Sequence, residues 1–161
     1  MLENEITINR FLEGYCRMLV EDVADERLAE QPLPNVNHPA WTLAHLAVTA
    51  ERGSKLLGGE AKLPEDWWTK FGPGSKTTSV RADYPSKQEL LEAMHSGFER
   101  FRTAAANATA EQLAAPSQHP RTKDKLPLVS DLAAFLLTGH FGVHIGQLTM
   151  WRRMIGLPHM F

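Results

Sequence analysis

The feature that most constrains this sequence is a run of 20 residues without a charged side chain. Residues 132–151 contain no Asp, Glu, Lys or Arg, and about 20 such residues are long enough to cross a bilayer. His140, His144 and Gln147 stand in the middle of the run, however, where lipid would penalise each polar side chain. We therefore expect a helix buried in protein and no membrane partner.

The composition of the whole chain is that of an ordinary globular protein. Its 161 residues are 43% hydrophobic and 22% charged, which predicts a single domain over residues 1–161 with one core. The formal net charge of −2 provides no electrostatic footprint for a nucleic acid partner. The only cysteine, Cys16, excludes an intramolecular disulfide and a thiolate cluster. Glu3 and Glu5 replace the basic start of a secretory signal, so these features together predict a cytoplasmic protein.

Helical periodicity and capping signals predict four long helices. The first covers about residues 4–23, the second runs from Pro39 or Ala40 to Leu57, the third from Ser86 to about Asn107, and the last from about 130 to 155. A second capping box at Thr109 predicts one further short turn of helix. On the first helix, the spacing predicts that the core-facing residues are Ile8, Phe11, Leu12, Tyr15, Met18 and Leu19.

Residues 58–85, between the second and third helices, lack any periodic pattern. A segment of this length is usually either functional or a crossover connection. The sequence therefore predicts an all-α four-helix bundle with a long crossover between helices 2 and 3. The segment contains Trp67, Trp68 and Phe71, and two interpretations of these aromatic residues stay open: they cover the core, or they form the wall of a substrate pocket.

Three histidines stand where a metal site could form. His140 and His144 are one helical turn apart, so their side chains lie on the same face. His45 interrupts an apolar run in the second helix, where an unpartnered imidazole would cost roughly 1 to 3 kcal/mol. Each of the three needs either a hydrogen bond within the core or a metal ion, and both alternatives are open. Three neutral imidazoles would leave a coordination position free, as in catalytic metal sites, and would accept zinc, nickel or iron.

Several other residues near these positions have a functional and a structural interpretation. Gln147 follows His144 by three residues and either orients a ligand, a metal-bound water or a backbone group, or makes a hydrogen bond between helices. His38 precedes the second helix and either caps it, lies on the surface or approaches the mouth of the site. Gly142 and Gly146 predict the close approach of a neighbouring helix, within the chain or across a dimer. The remaining histidines are expected on the surface: His95, His119 and His159.

Several stretches of the chain together resemble the DinB/YfiT-like superfamily. They are residues 41–46 (WTLAHL), 71–75 (FGPGS), 84–86 (YPS), 140–148 (HFGVHIGQL) and 152–156 (RRMIG). The resemblance implies a four-helix bundle in which one histidine of the second helix and an HxxxH pair of the last helix hold a divalent metal. The matching residues here are His45, His140 and His144. It also implies a homodimer.

The resemblance further implies a range of chemistry. Characterised relatives include transferases and isomerases that use low-molecular-weight thiols such as mycothiol, bacillithiol or glutathione, and many other members are described as metal-dependent hydrolases. Some relatives have Glu at the position of His140, so the isomerase reaction of that branch is not carried over. We expect a thiol or a water molecule to be activated at a three-histidine site. The alternatives are a non-catalytic stress protein that binds a metal or ligand, and a plain structural bundle.

Overall fold

The computed structural model describes residues 1–160, and its regular structure is helical. The helices are α1 (Glu3–Glu21), α2 (Pro39–Leu56), α3 (Glu65–Lys70), α4 (Lys87–Asn107), α5 (Ala110–Ala114), α6 (Val129–Leu137) and α7 (Gly139–Met154). Within residues 1–160 there is no β-strand, only an isolated bridge between Pro116 and Leu128. The prediction of an all-α chain is therefore confirmed.

Helix α2 is the central element of the core. Every residue from Pro39 to Glu51 is buried, and the helix packs along α4. The two backbones approach closely because small residues stand at the contact: a Cβ on Gly53 would overlap the ring of Phe101, and a Cβ on Gly97 would lie 3.1 Å from Ala50. Helix α1 packs against α4, α6 and α7. This arrangement places one face of α2 opposite α7.

The predicted core face of α1 is wrong for half of its residues. Ile8, Phe11 and Met18 are 47%, 61% and 41% exposed, and of the predicted set only Leu19 is fully buried, with Leu12 and Tyr15 half-buried. The helix is rotated so that a different set faces inward. Its buried residues are Ile6, Asn9, Glu13, Cys16, Leu19 and Val20.

This rotation is stabilised by a buried polar network that apolar periodicity does not reveal. Arg102 of α4 donates from Nη1 to Asn9 Oδ1 at 2.6 Å and to Glu13 Oε2 at 2.8 Å. Asn9 Nδ2 donates to the carbonyl of Leu137 at 2.7 Å. Since buried charges and amides require such partners, this network determines which face of α1 points inward.

The predicted last helix is divided into α6 and α7 at Thr138. Thr138 has φ −122° and ψ −72°, outside the helical range, and its Oγ1 donates to the carbonyl of Ala134 at 2.7 Å. Bonding of a Thr hydroxyl to the preceding turn is one of the ways in which helices bend.

The uncharged run of residues 132–151 is also not buried on all sides, because Val143 and Met150 are 57% and 55% exposed. Across residues 1–160, none of the helices combines the length and apolar character that a membrane span requires.

The segment between α2 and α4 is packed onto the helices through polar contacts. Arg81 donates from Nη2 to Asp25 Oδ1 at 2.8 Å and from Nη1 to the carbonyl of Tyr84 at 2.9 Å. Buried Glu51 of α2 pairs with Arg100 of α4 and accepts from the backbone N–H of Lys62. The segment is thereby held against α2, where it supplies one contact to the site.

Candidate metal centre

His45, His140 and His144 meet at one point between α2 and α7. Their ring centroids are 4.7 to 5.3 Å apart, and one ligand nitrogen from each ring lies within 4.8 Å of the other two. His45 and His144 are only 4% and 6% exposed, and His140 is half-buried. The structure therefore brings together all three residues that the sequence nominated.

The orientation of His45 is determined by a backbone carbonyl. Its Nδ1 donates to the carbonyl oxygen of Phe71 at 2.6 Å, because a carbonyl can only accept. The proton on Nδ1 leaves the lone pair on Nε2, which points toward His140. No sequence pattern identifies this contact, since it depends on the backbone at the end of α3 and on no particular side chain at position 71.

The orientation of His144 is determined by Gln147. His144 Nδ1 donates to Gln147 Oε1 at 3.0 Å, and Asn37 Nδ2 donates to the same oxygen at 3.1 Å. The amide oxygen therefore serves two donors, and the Nε2 lone pair of His144 is left for the site. Of the two predicted roles of Gln147, the orienting one agrees with the structure. The contact of Asn37 with Gln147 was not expected from the sequence, because no sequence pattern marks Asn37 as part of the site.

His140 is the member of the cluster with a buried nitrogen that the described residues leave without a partner. Its Nδ1 is buried and has no hydrogen-bond partner among the described residues. Its Nε2 lies 3.4 Å from His45 Nε2, close to the separation of about 3.3 Å that bond lengths of 2.0–2.1 Å produce for two nitrogens on a tetrahedral zinc. When the proton of His140 is on Nδ1, both Nε2 atoms carry lone pairs, and a cation between them removes their repulsion. The donor set and the spacing of this pair of nitrogens thus fit a divalent metal.

Burial keeps the three imidazoles neutral at physiological pH. Desolvation, with the nearby charge of His45 as a smaller cause, lowers the pKa of His140 to about 4. Desolvation, together with His45 and His140, lowers the pKa of His144 to about 3. The pKa of His45 is lowered as well, mainly by burial. Because a metal ligand must carry a free lone pair, the unprotonated state favoured here is the state that binding requires.

The other histidines have different environments. His38 is fully buried, so the surface expectation is wrong, while the capping expectation is confirmed: its Nδ1 accepts from the backbone N–H of Trp41. Its Nε2 donates to the carbonyl of Thr78 at 2.8 Å. His95 and His119 are half-buried instead of exposed, and they bond to Glu13 and Thr122. His159 is exposed, as expected.

The aromatic residues between α2 and α4 and the two glycines of α7 also have functional and structural interpretations from the sequence. Phe71 is buried in the core, and Trp67 and Trp68 are half-buried against it, so the aromatic residues of the connection cover the core. Apart from the adjoining residues and backbone of α7 itself, no described atom lies within 4 Å of a Cβ added to Gly142 or Gly146. A close helix neighbour within the described chain is therefore not the reason for these glycines.

The fold and the site together define a class of protein: an all-helical protein in which two helices bring three neutral imidazoles to one point. The comparison then supplies the family. The family model of the DinB superfamily matches residues 12–148, most of the chain, and the protein therefore belongs to that superfamily. The resemblance inferred from residues 41–46 and 140–148 is confirmed. A search of curated proteins found no match.

Proposed function

We propose that this protein is a metal-dependent enzyme that activates a small thiol or a water molecule for attack on an electrophile. His45, His140 and His144 would be the ligands of one divalent metal. The observation that carries the proposal is the orientation of their nitrogens. Nδ1 of His45 and of His144 is each committed to an oxygen outside the cluster, which leaves both Nε2 lone pairs for a common ion.

The chain's own residues would prepare the site in three ways. Phe71 and Gln147 hold two of the rings in one tautomer, and burial keeps all three rings uncharged. The three ligands are uncharged and leave a coordination position free. A divalent metal with an open position lowers the pKa of a bound thiol or water, so the nucleophile forms near neutral pH. On the side of His140 the site borders a cavity of about 670 Å³, which provides access for a small molecule.

The finer architecture of the proposal is a four-helix bundle. Its members would be α1, α2, α4 and the α6–α7 pair, with residues 57–86 as the crossover between the second and third members. The packing of α2 against α4 and of α1 against α7 supports this four-helix arrangement. We also propose that the protein acts in a reducing cytoplasm, because low-molecular-weight thiols stay reduced there.

The proposal includes a homodimer formed through α1 and α7. Phe11 and Met18 on α1 and Val143 and Met150 on α7 are all more than 40% exposed, and the two helices are neighbours. Exposed apolar residues that form a contiguous surface usually mark an interface, and the open glycines of α7 would allow a second copy to approach.

Light scattering tests this interface. The wild-type protein should be a dimer, and the double variant with Phe11→Glu and Val143→Glu should be a monomer. Gln88→Glu, at an exposed position in the first turn of α4, should leave the dimer intact, and a monomeric wild-type protein would refute this interface.

Metal analysis tests the site directly. Protein purified without added metal should contain one divalent ion per chain, and His144→Ala should lose it. His159→Ala, which removes an exposed imidazole outside the cluster, should keep it. An unchanged metal content in His144→Ala would show that the ligand set is wrong, and the histidines would then be structural.

The alternative is a non-catalytic protein that binds a metal or ligand. One observation favours it: across residues 1–160 the metal-binding cluster contains three histidines and no carboxylate, so no general base stands within it. Metal-loaded protein should be offered electrophiles together with a panel of small thiols. Conjugation that disappears in His144→Ala supports the enzyme, whereas metal binding without any conjugation or hydrolysis supports the binding protein.

A further inference from the structure

The cavity next to His140 is lined by positive charge that nothing in the described chain neutralises. Arg52 and Lys55 of α2 and Arg121 of the α5–α6 loop all contribute to its lining, and no Asp or Glu does. Among residues 1–160 none of these three cations forms an ion pair. Partial burial and the neighbouring charge of Arg121 lower the pKa of Arg52. All three side chains are exposed, so water screens them in the free protein, and together they give this cavity a positive potential that attracts an anion.

The position of Arg52 is held by an aromatic ring. The Arg52 guanidinium lies 5.6 Å from the centroid of the Trp68 ring, and Lys55 Nζ lies 5.5 Å from the same centroid. Contacts of cations with the face of an indole are favourable, and they restrict both side chains to the rim of the cavity. At an exposed position such a contact is weak, so it favours this placement of the guanidinium without fixing it and reduces the entropy lost on binding.

The cavity also has an apolar wall, and its cationic side chains are separated from the histidine cluster along α2. Leu132 and Phe135 of α6 line the cavity together with His140. Arg52 follows His45 by seven residues on α2, so the two lie on one side of the helix about 10 Å apart along its axis. The cationic side chains and the histidine cluster thus stand about two helical turns apart along α2, and a ligand that contacts both must be extended.

From these observations we propose that the cavity binds an organic oxyanion, a carboxylate or phosphate attached to an extended apolar body. The charged group pairs with Arg52 and Arg121, which suit the planar or tetrahedral oxygens of such groups. The apolar body lies along Leu132 and Phe135, and its far end faces the histidine cluster. The inference deepens the proposed function, on which its catalytic meaning rests, by specifying the class of substrate.

Calorimetry with three ligands of equal chain length tests the proposal: octanoate, octyl phosphate and 1-octanol. At least one of the two anions should bind ten times more tightly than the alcohol or better, and the preference between them identifies the oxyanion. Arg52→Gln and Arg121→Gln should each weaken anion binding about tenfold. Lys125→Gln removes the same unit charge from an exposed position on the Arg121 loop outside the cavity, and it should leave binding unchanged.

The same titration in His144→Ala separates this inference from the metal site. Anion binding should persist in His144→Ala, and the two arginine variants should keep their metal. Failure of metal binding would thus leave the cavity result standing. The proposal is overturned if wild-type protein binds neither anion, if octanol binds as tightly, or if the arginine variants bind the anions like wild type.

Discussion

The imidazole of His45 stacks on the indole of Trp41, with ring centroids 4.6 Å apart and planes inclined by 9°. Trp41 is one helical turn before His45 on α2, and its Nε1 donates to Ser75 Oγ at 3.0 Å. The indole is therefore anchored at its edge while its face lies against the histidine. This contact and the Phe71 carbonyl together determine the plane in which the His45 lone pair points.

We expect Trp41→Leu to weaken metal binding about tenfold, because His45 then loses the surface that holds its ring plane. Trp41→Phe keeps an aromatic face but lacks the hydrogen bond to Ser75, and it should recover most of the affinity. Competition with a metallochromic chelator measures both values. Equal losses in the two variants would mean that the Ser75 contact, and not stacking, positions the ring.

The shared acceptor on Gln147 leads to a second prediction. Gln147→Leu leaves His144 Nδ1 and Asn37 Nδ2 without their oxygen, and we expect the metal affinity to fall between 10- and 100-fold. Gln147→Glu retains an acceptor oxygen and should restore binding. Without metal, Gln147→Leu should lower the free energy of unfolding by about 1 to 3 kcal/mol, because buried donors lose their acceptor, and thermal unfolding without metal verifies that both variants are folded. A loss of stability in both variants with unchanged metal affinity would contradict an orienting role.

The lowered pKa values predict how the metal-free protein responds to acid. An unfolded histidine binds its proton near pH 6.5, whereas His140 and His144 bind theirs only near pH 4 and pH 3 in the folded state. Between these values the unfolded chain binds more protons, so the free energy of unfolding decreases as the pH falls from 7 toward 4.

The expected loss between pH 7 and pH 5 is roughly 1 to 2 kcal/mol for each of these histidines. Urea unfolding at the two pH values measures it. His144→Leu should show a smaller difference between the two values than wild type, because one of the titrating groups is gone. A pH difference identical to that of wild type would show that other groups cause the acid sensitivity.

The close approach of α2 and α4 leads to a prediction about stability. A Cβ on Gly53 would overlap the side chain of Phe101, so Gly53→Ala should reduce the free energy of unfolding by about 1 to 3 kcal/mol. Gly14 is the matched control, since it is exposed in the middle of α1 with no described atom within 4 Å of an added Cβ. Gly14→Ala should stabilise the protein by about 0.5 to 1 kcal/mol through helix propensity. Chemical unfolding of both variants checks the sign of each change.

The family and much of the local structure could be predicted from the sequence, because these depend on residues close together in the chain. The capping boxes at Ser86 and Thr109 are present where they were expected, since a cap is made within four residues. His140 and His144 share a face for the same reason. The first helix was found within two residues at each end, but its inward face was not, because Arg102, 89 positions after Glu13, determines it.

The sequence alone determined that this chain is helical, that three of its histidines are exceptional, and that it resembles the DinB superfamily. Only the tertiary structure decided that His45 meets a pair 95 residues away, that the Phe71 carbonyl and Gln147 turn the lone pairs inward, and that three cations surround the adjoining cavity. Helical periodicity and caps act over a few residues of the backbone. Convergence of side chains depends instead on how whole helices pack, and no local pattern encodes that packing.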